Sequence, residues 1–171
     1  MFFNKKKDIF TYQVPNFQIH KQKLIDLIKK IPKNKFDEIS HTDWNLSTVT
    51  KKEWYEYFFK NILSNWAYDL SLIINLAVEI EKCWFQWYEK NDVHHWHTHN
   101  RCHFTNIFYL NLPNKSIKTI VKKFDEEQKI NIDEGKILSF PAYWEHRSPK
   151  NIFNEPKIII SFNTSFHSNS K

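Results

Sequence analysis

The sequence predicts a mainly β domain, a sandwich or barrel buttressed by helices from its N-terminal part. Three observations carry this. Apolar residues recur at helical spacing only in the first eighty positions. From Cys83 onward, short runs rich in Ile, Phe, Tyr and Trp alternate with turn signals. The chain has 171 residues, with 7 Trp and 15 Phe, which is enough for one domain with a real core.

Leu24, Leu27, Ile28 and Ile31 fall at i, i+3, i+4 and i+7, one face of a helix that Pro32 stops. Thr50 and Glu53 read as a capping box. After it, Trp54, Phe58 and Ile62 form one stripe, and Leu70, Ile73, Ile74 and Ala77 another; both read as packing faces. The predicted strands are Cys83 to Glu89, His103 to Leu112, Ile117 to Phe124, Lys129 to Ile132, Lys136 to Phe140 and Lys157 to Asn163. Turns are expected at Pro113-Asn114-Lys115 and Asp133-Glu134-Gly135. No repeat or linker interrupts residues 1–171, so we read one domain: 1–82 a mainly helical support, 83–171 the β core. Gly135 is the only glycine, and Asn is expected to take turn positions that need positive φ.

The net charge of +6 reads as a Lys-rich solvated surface. With Arg101 and Arg147 the only arginines, the composition speaks against a nucleic-acid face. Two cysteines, Cys83 and Cys102, make no disulfide framework. Met1 to Phe10 lacks a signal-peptide apolar run, and no segment has membrane-span length, so a cytoplasmic protein is expected.

Five of nine histidines lie between His94 and His103. A lone histidine is ordinarily a solvated or satisfied core group. His97-Thr98-His99 differs, because in an extended strand i and i+2 project to one face, where two imidazoles can grip a metal. His95 shares their parity and His94 does not. His146, just past a strand and the Pro141 turn, is the candidate third ligand. Three imidazoles leave open positions on an octahedral ion such as Fe(II). Glu145 should point away from His146, and Cys102 should pack as a small apolar group. Trp96, Tyr143 and Trp144 flank the ligands and are expected at a substrate mouth.

The motifs resemble a group of small 2-oxoglutarate/Fe(II) oxygenases. Those carry a pattern like W-x-N-x-Y-x-x-G-x-x-x-x-x-H-x-H, then S-G-x-Y-Y, F-P-x-x-x-x-H and R-x-S-x-S-F-N. This chain reads Trp84, Gln86, Tyr88, Asn91, His97 and His99 at the first motif. Thr105-Asn106-Ile107-Phe108-Tyr109 follows, then Phe140 to His146, and finally Lys157 to Asn163. Departures are Asn91 for Gly, Gln86 for Asn, Lys157 for Arg and Ile159 for Ser; His99 sits where the broader superfamily has a carboxylate.

The resemblance implies a double-stranded β-helix, a jelly-roll or cupin-like barrel. It implies Fe(II) on His97, His99 and His146, with 2-oxoglutarate as cosubstrate. Lys157 would hold the far carboxylate, with Ser161 and Asn163 on its face, and Tyr88, Gln86, Thr105 and Tyr109 as further cosubstrate contacts. The implied reaction hydroxylates an unactivated C–H bond and decarboxylates 2-oxoglutarate to succinate. O₂ and a small-molecule or peptide substrate are the implied partners. Two rivals stand beside this reading. One is a cupin-type three-histidine metalloprotein, a dioxygenase or isomerase without 2-oxoglutarate, since Gly135, Pro141 and His146 also match that spacing. The other is a catalytically silent binding barrel. Lys157 separates the first rival, because a dianion needs a cation behind the metal.

Overall fold

The computed structural model describes residues 2–6, 8–32, 35–36, 39–46 and 52–168. Twelve strands and three α-helices are assigned among them. The strands are β1 (Phe3–Lys6), β2 (Ile9–Gln13), β3 (Lys35–Phe36), β4 (Ser40–Thr42), β5 (Ala77–Tyr88), β6 (His94–His97), β7 (Phe104–Asn111), β8 (Ile120–Lys123), β9 (Glu126–Glu127), β10 (Lys136–Pro141), β11 (His146–Ser148) and β12 (Lys157–His167). The helices are α1 (Phe17–Lys29), α2 (Lys52–Phe58) and α3 (Ser64–Ile74), the last two joined by a π turn over Phe59–Leu63.

Eight strands form a large sheet in the order β1-β2-β10-β7-β12-β5-β4-β3, and four form a small one, β6-β11-β8-β9; every pairing is antiparallel. The expected barrel buttressed by helices is therefore present. Its strands read as unbroken apolar runs because the large sheet is covered on both faces. On β12, Ile158, Ile160 and Phe162 pack against the helices, with Trp54, Phe58, Trp66 and Leu24. Lys157, Ile159, Ser161 and Asn163 alternate with them and face the barrel interior, where Ile159 meets Tyr88, Ile107, Tyr109 and Phe140.

Helical spacing locates the buttress. Leu24, Leu27 and Ile28 are buried on α1, and Trp54, Phe58 and Ile62 run along the second helical segment. The third stripe differs. Leu70 is buried, but Ile73 is exposed and Ala77 opens β5, because α3 ends at Ile74 with Asn75 left-handed at φ 55°. The true continuation is Leu63, Trp66 and Leu70. Thr50, half of the expected cap, lies outside the described residues.

The first eighty residues are less helical than their spacing suggests. β1 and β2 form a hairpin whose second strand pairs with β10, so the N-terminal segment extends the large sheet. Lys129 to Ile132 is not a strand. Ile130 and Ile132 are buried without a ladder partner, and Lys118 Nζ donates to the Ile130 carbonyl at 2.6 Å. Of the stretch Ile117 to Phe124, only β8 is extended; Lys115–Ile117 is a 3₁₀ turn. Gly135 closes the turn before β10 at φ 77°, where a Cβ would meet the Phe17 ring at 2.6 Å. Asn91 adopts φ 75°, the conformation its glycine-like position requires.

Candidate metal centre

β6 and β11 are neighbours in the small sheet, and His97 pairs directly with His146. That pairing brings together two residues far apart in the chain. His99 lies just beyond β6, pinned by its N–H donating to the Ala142 carbonyl at 2.9 Å. The ring centroids are 4.1 Å apart for His97–His146, 5.1 Å for His99–His146 and 5.4 Å for His97–His99. One nitrogen from each ring lies within 4.8 Å of the others, the only such cluster of metal-ligating groups among the described residues.

The outward nitrogens fix the tautomers. His97 Nδ1 lies 2.8 Å from the His95 carbonyl, His146 Nδ1 3.2 Å from the Trp144 carbonyl, and His99 Nδ1 2.7 Å from Asn163 Oδ1. A carbonyl oxygen can only accept, so each Nδ1 carries the proton and each Nε2 keeps its lone pair. That is the arrangement in which histidines ligate a metal, with the second nitrogen held by an acceptor. Burial pushes all three imidazoles below their ordinary range, His146 well below, so they are neutral at physiological pH. The donor set fits a first-row divalent ion such as Fe(II).

A fourth histidine enters here against expectation. Strict alternation puts His95 beside His97 and turns His94 away. The register shift between His146 and Ser148 sets two residues of β6, His95 and Trp96, against one of β11, Arg147, so His94 turns inward and His95 is exposed. The His94 ring lies flat on His97, centroids 3.9 Å apart. Gln86 Nε2 donates to its Nδ1 at 3.2 Å, while Gln86 Oε1 accepts from Ser161 Oγ at 3.4 Å. His94 thus has the opposite tautomer to the other three, with its proton on Nε2. Burial, then the neighbouring His97 and His99, push it down to about 3.

Behind the triad is a small chamber of about 20 Å³, walled by Gln86, Tyr88, Ile107, Thr119, Ser148 and Ser161 as well as the histidines. Lys157 does not line the chamber; it sits fully buried behind the Ser148 and Tyr88 side chains that do. Its Nζ donates to the Ile117 carbonyl and to Ser148 Oγ, both at 2.8 Å, and sits 5.2 Å from the Tyr88 ring centre. No carboxylate pairs with it among the described residues, and burial alone pushes it down to about 7. Burial also pushes the Tyr88 phenol up, against a hydrogen bond to Ser148. Thr119 Oγ1 is buried in this wall without a partner.

In front of the triad lies an open trough of about 640 Å³. Its aromatic walls are Trp44 and Trp84, edge to face at 4.3 Å, with Lys82 Nζ 3.2 Å above the Trp44 ring. Trp96, Tyr143 and Trp144 do not line it. Trp96 points outward between Lys122 and Arg147, Tyr143 is exposed, and Trp144 packs in the inner core. Among the other expected site residues, Gln86, Tyr88 and Ser161 wall the chamber and Asn163 orients His99. Thr105 and Tyr109 face the interior but line neither cavity; the Tyr109 hydroxyl accepts from the Thr119 N–H at 3.2 Å. Glu145 is exposed and Cys102 half-buried, both outside the cluster. Sequence reasoning missed His94, Thr119 and Ser148, which reach the chamber only through sheet closure.

No protein-family model matches the sequence, and no curated protein matches it. Solved structures do match the fold. A prolyl hydroxylase from Trichoplax adhaerens, in complex with a hypoxia inducible factor peptide fragment, aligns with a TM-score of 0.64 at 13% identity, over 94% of this chain and 84% of that one. The viral collagen prolyl hydroxylase of Paramecium Bursaria Chlorella virus-1, in its 2OG complex, gives 0.58 at 14%, over 95% and 97%. An oxidoreductase of the 2OG-Fe(II) oxygenase family from Burkholderia pseudomallei gives 0.57 at 9%, over 98% and 73%. The chain is built on the jelly-roll fold of the 2OG-Fe(II) oxygenases.

Proposed function

We propose that this protein is an Fe(II)- and 2-oxoglutarate-dependent oxygenase. The observation that carries the reading is the triad: three neutral imidazoles whose Nδ1–H groups are each tied to an acceptor and whose Nε2 lone pairs converge. His97, His99 and His146 would hold the iron. Three neutral ligands leave its full charge in place, which favours an anionic chelator. When bound, the metal and cosubstrate supply the oxidising chemistry: O₂ is consumed, 2-oxoglutarate becomes succinate and CO₂, and a substrate C–H bond is hydroxylated.

The protein's own groups do the rest. Lys157 takes the far carboxylate of 2-oxoglutarate as a buried, charge-assisted pair, flanked by Ser148 Oγ and the unpartnered Thr119 Oγ1. Tyr88, Ile107 and Ile159 keep that end dry. Asn163 holds the His99 ring. Substrate lies in the trough, which is within the size range of small-ligand sites, between Trp44, Trp84 and the basic side chains of Lys82 and Arg101. The free cysteines, Cys83 and Cys102, accord with a cytoplasmic setting.

The test is anaerobic titration of the Fe(II) protein with 2-oxoglutarate, followed by the visible metal-to-ligand absorption. The band is expected in the wild type. In Lys157→Met it should need about a hundredfold more 2-oxoglutarate, the loss of one buried charge-assisted pair, with iron content unchanged. Iron retained with no band in the wild type would assign the cupin-type chemistry instead.

A further inference from the structure

The chamber between the triad and the Ser148 and Tyr88 wall that screens Lys157 has room for about one water molecule. A five-carbon dianion cannot occupy it as it stands. Two side chains, His94 and Gln86, line both the chamber and the trough, together with Trp84, His97 and His99. Of these, Trp84 is held edge to face by Trp44, and His97 and His99 by their Nδ1 bonds. Among the described residues, the His94 ring is held by its stack on His97 and by one neutral hydrogen bond from Gln86. On its outer side it faces a cavity large enough to receive a rotated imidazole. It also sits where β6 departs from regular pairing, at the register shift opposite Ser148.

We infer that His94, latched by Gln86, plugs the cosubstrate chamber and must swing into the trough before a chelator with a tail can reach Lys157. This rests on the reading that 2-oxoglutarate spans the triad and Lys157. The plug makes His94 a specificity-determining residue. A short chelator such as oxalate can approach His97 and His99 from the trough with the ring in place. A longer one must displace it.

The experiment uses the full chain loaded with Co(II), whose visible ligand-field spectrum responds to any chelator at the metal. Stopped-flow mixing compares 2-oxoglutarate with oxalate. In the wild type the 2-oxoglutarate rate should level off with concentration while the oxalate rate rises linearly. His94→Ala removes the plug itself, so the 2-oxoglutarate rate should lose its plateau and rise about tenfold or more, while oxalate stays within about twofold. His94→Trp, which keeps a ring on His97 and fills more space, should slow 2-oxoglutarate about tenfold and again spare oxalate. Equal, unsaturating rates for both chelators, unaltered by either substitution, would overturn the plug. A Co(II) spectrum that answers oxalate but never 2-oxoglutarate, in wild type and His94→Ala alike, would instead remove the cosubstrate reading and the plug with it.

Discussion

Lys157 concentrates the energetics of the site in one side chain. A lysine ordinarily titrates near 10.5; this one is held near 7 by burial, a difference of about 5 kcal/mol in favour of the neutral form. The unfolded chain therefore holds a proton on this residue from pH 7 to 10.5 that the native state releases. Native stability gains from this group as pH rises through that window; the penalty is absent above it and complete below it. Urea unfolding at pH 7 and pH 9 should show a wild-type gain about 2–3 kcal/mol larger than that of Lys157→Met. A dianion at the ammonium reverses the preference, so 2-oxoglutarate binding should take up a proton and weaken as pH rises from 7 to 9. Calorimetry in buffers of different ionisation enthalpy measures that uptake. Asn163 would act on a bound metal at one remove. Asn163→Leu removes the acceptor that orients His99 and should weaken metal affinity about 10–100-fold, read by competition with a chelating dye. Among these residues, His97 and His99 were legible because ligands two apart on an extended segment need no tertiary information. His146 was legible only as a histidine just past a strand and the Pro141 turn, and the Phe-Pro spacing of the resemblance then agreed with it. His94, Thr119 and Ser148 carry no such signal, since a register shift and strand closure alone bring them inward.

At the scale of elements, Asp43 joins three of them. Its Oδ2 accepts from Trp54 Nε1 at 2.9 Å and its Oδ1 from the Phe85 N–H at 3.0 Å, so the segment after β4 clamps α2 to β5. Asp43→Ala leaves both buried donors without this acceptor and should cost about 3 kcal/mol in chemical denaturation. Because β5 carries Trp84, Gln86 and Tyr88 into the site, the same variant should also lower 2-oxoglutarate affinity. Element legibility followed length. β5, β7, β10 and β12 were readable as apolar runs between turns, and α1 from its spacing. β1, β4 and β11 are three or four residues long and owe their extension to a neighbour's ladder, as the Lys-rich FNKK of β1 illustrates.

Over the whole molecule, sheet order differs from chain order. β2 pairs with β10, and β4 pairs with β5, so both margins of the large sheet come from the N-terminal half. The helices that cover its outer face come from there too. Residues 83–171 hold every proposed ligand but only part of this sheet. Expressed alone, that fragment should bind a hydrophobic dye and lack a cooperative melt, whereas the full chain should unfold in one transition. Binding of Co(II) with native affinity by the fragment would refute this.

β12 lies between β7 and β5 in the middle of the large sheet, yet it is the last of the described strands in chain order. During synthesis, β5 and β7 must therefore leave the ribosome tunnel with facing margins vacant. Each exposes unsatisfied amide and carbonyl groups until Lys157–His167 is translated. The nascent chain is most prone to clumping in that interval, and holdase chaperones have their greatest opportunity to act there.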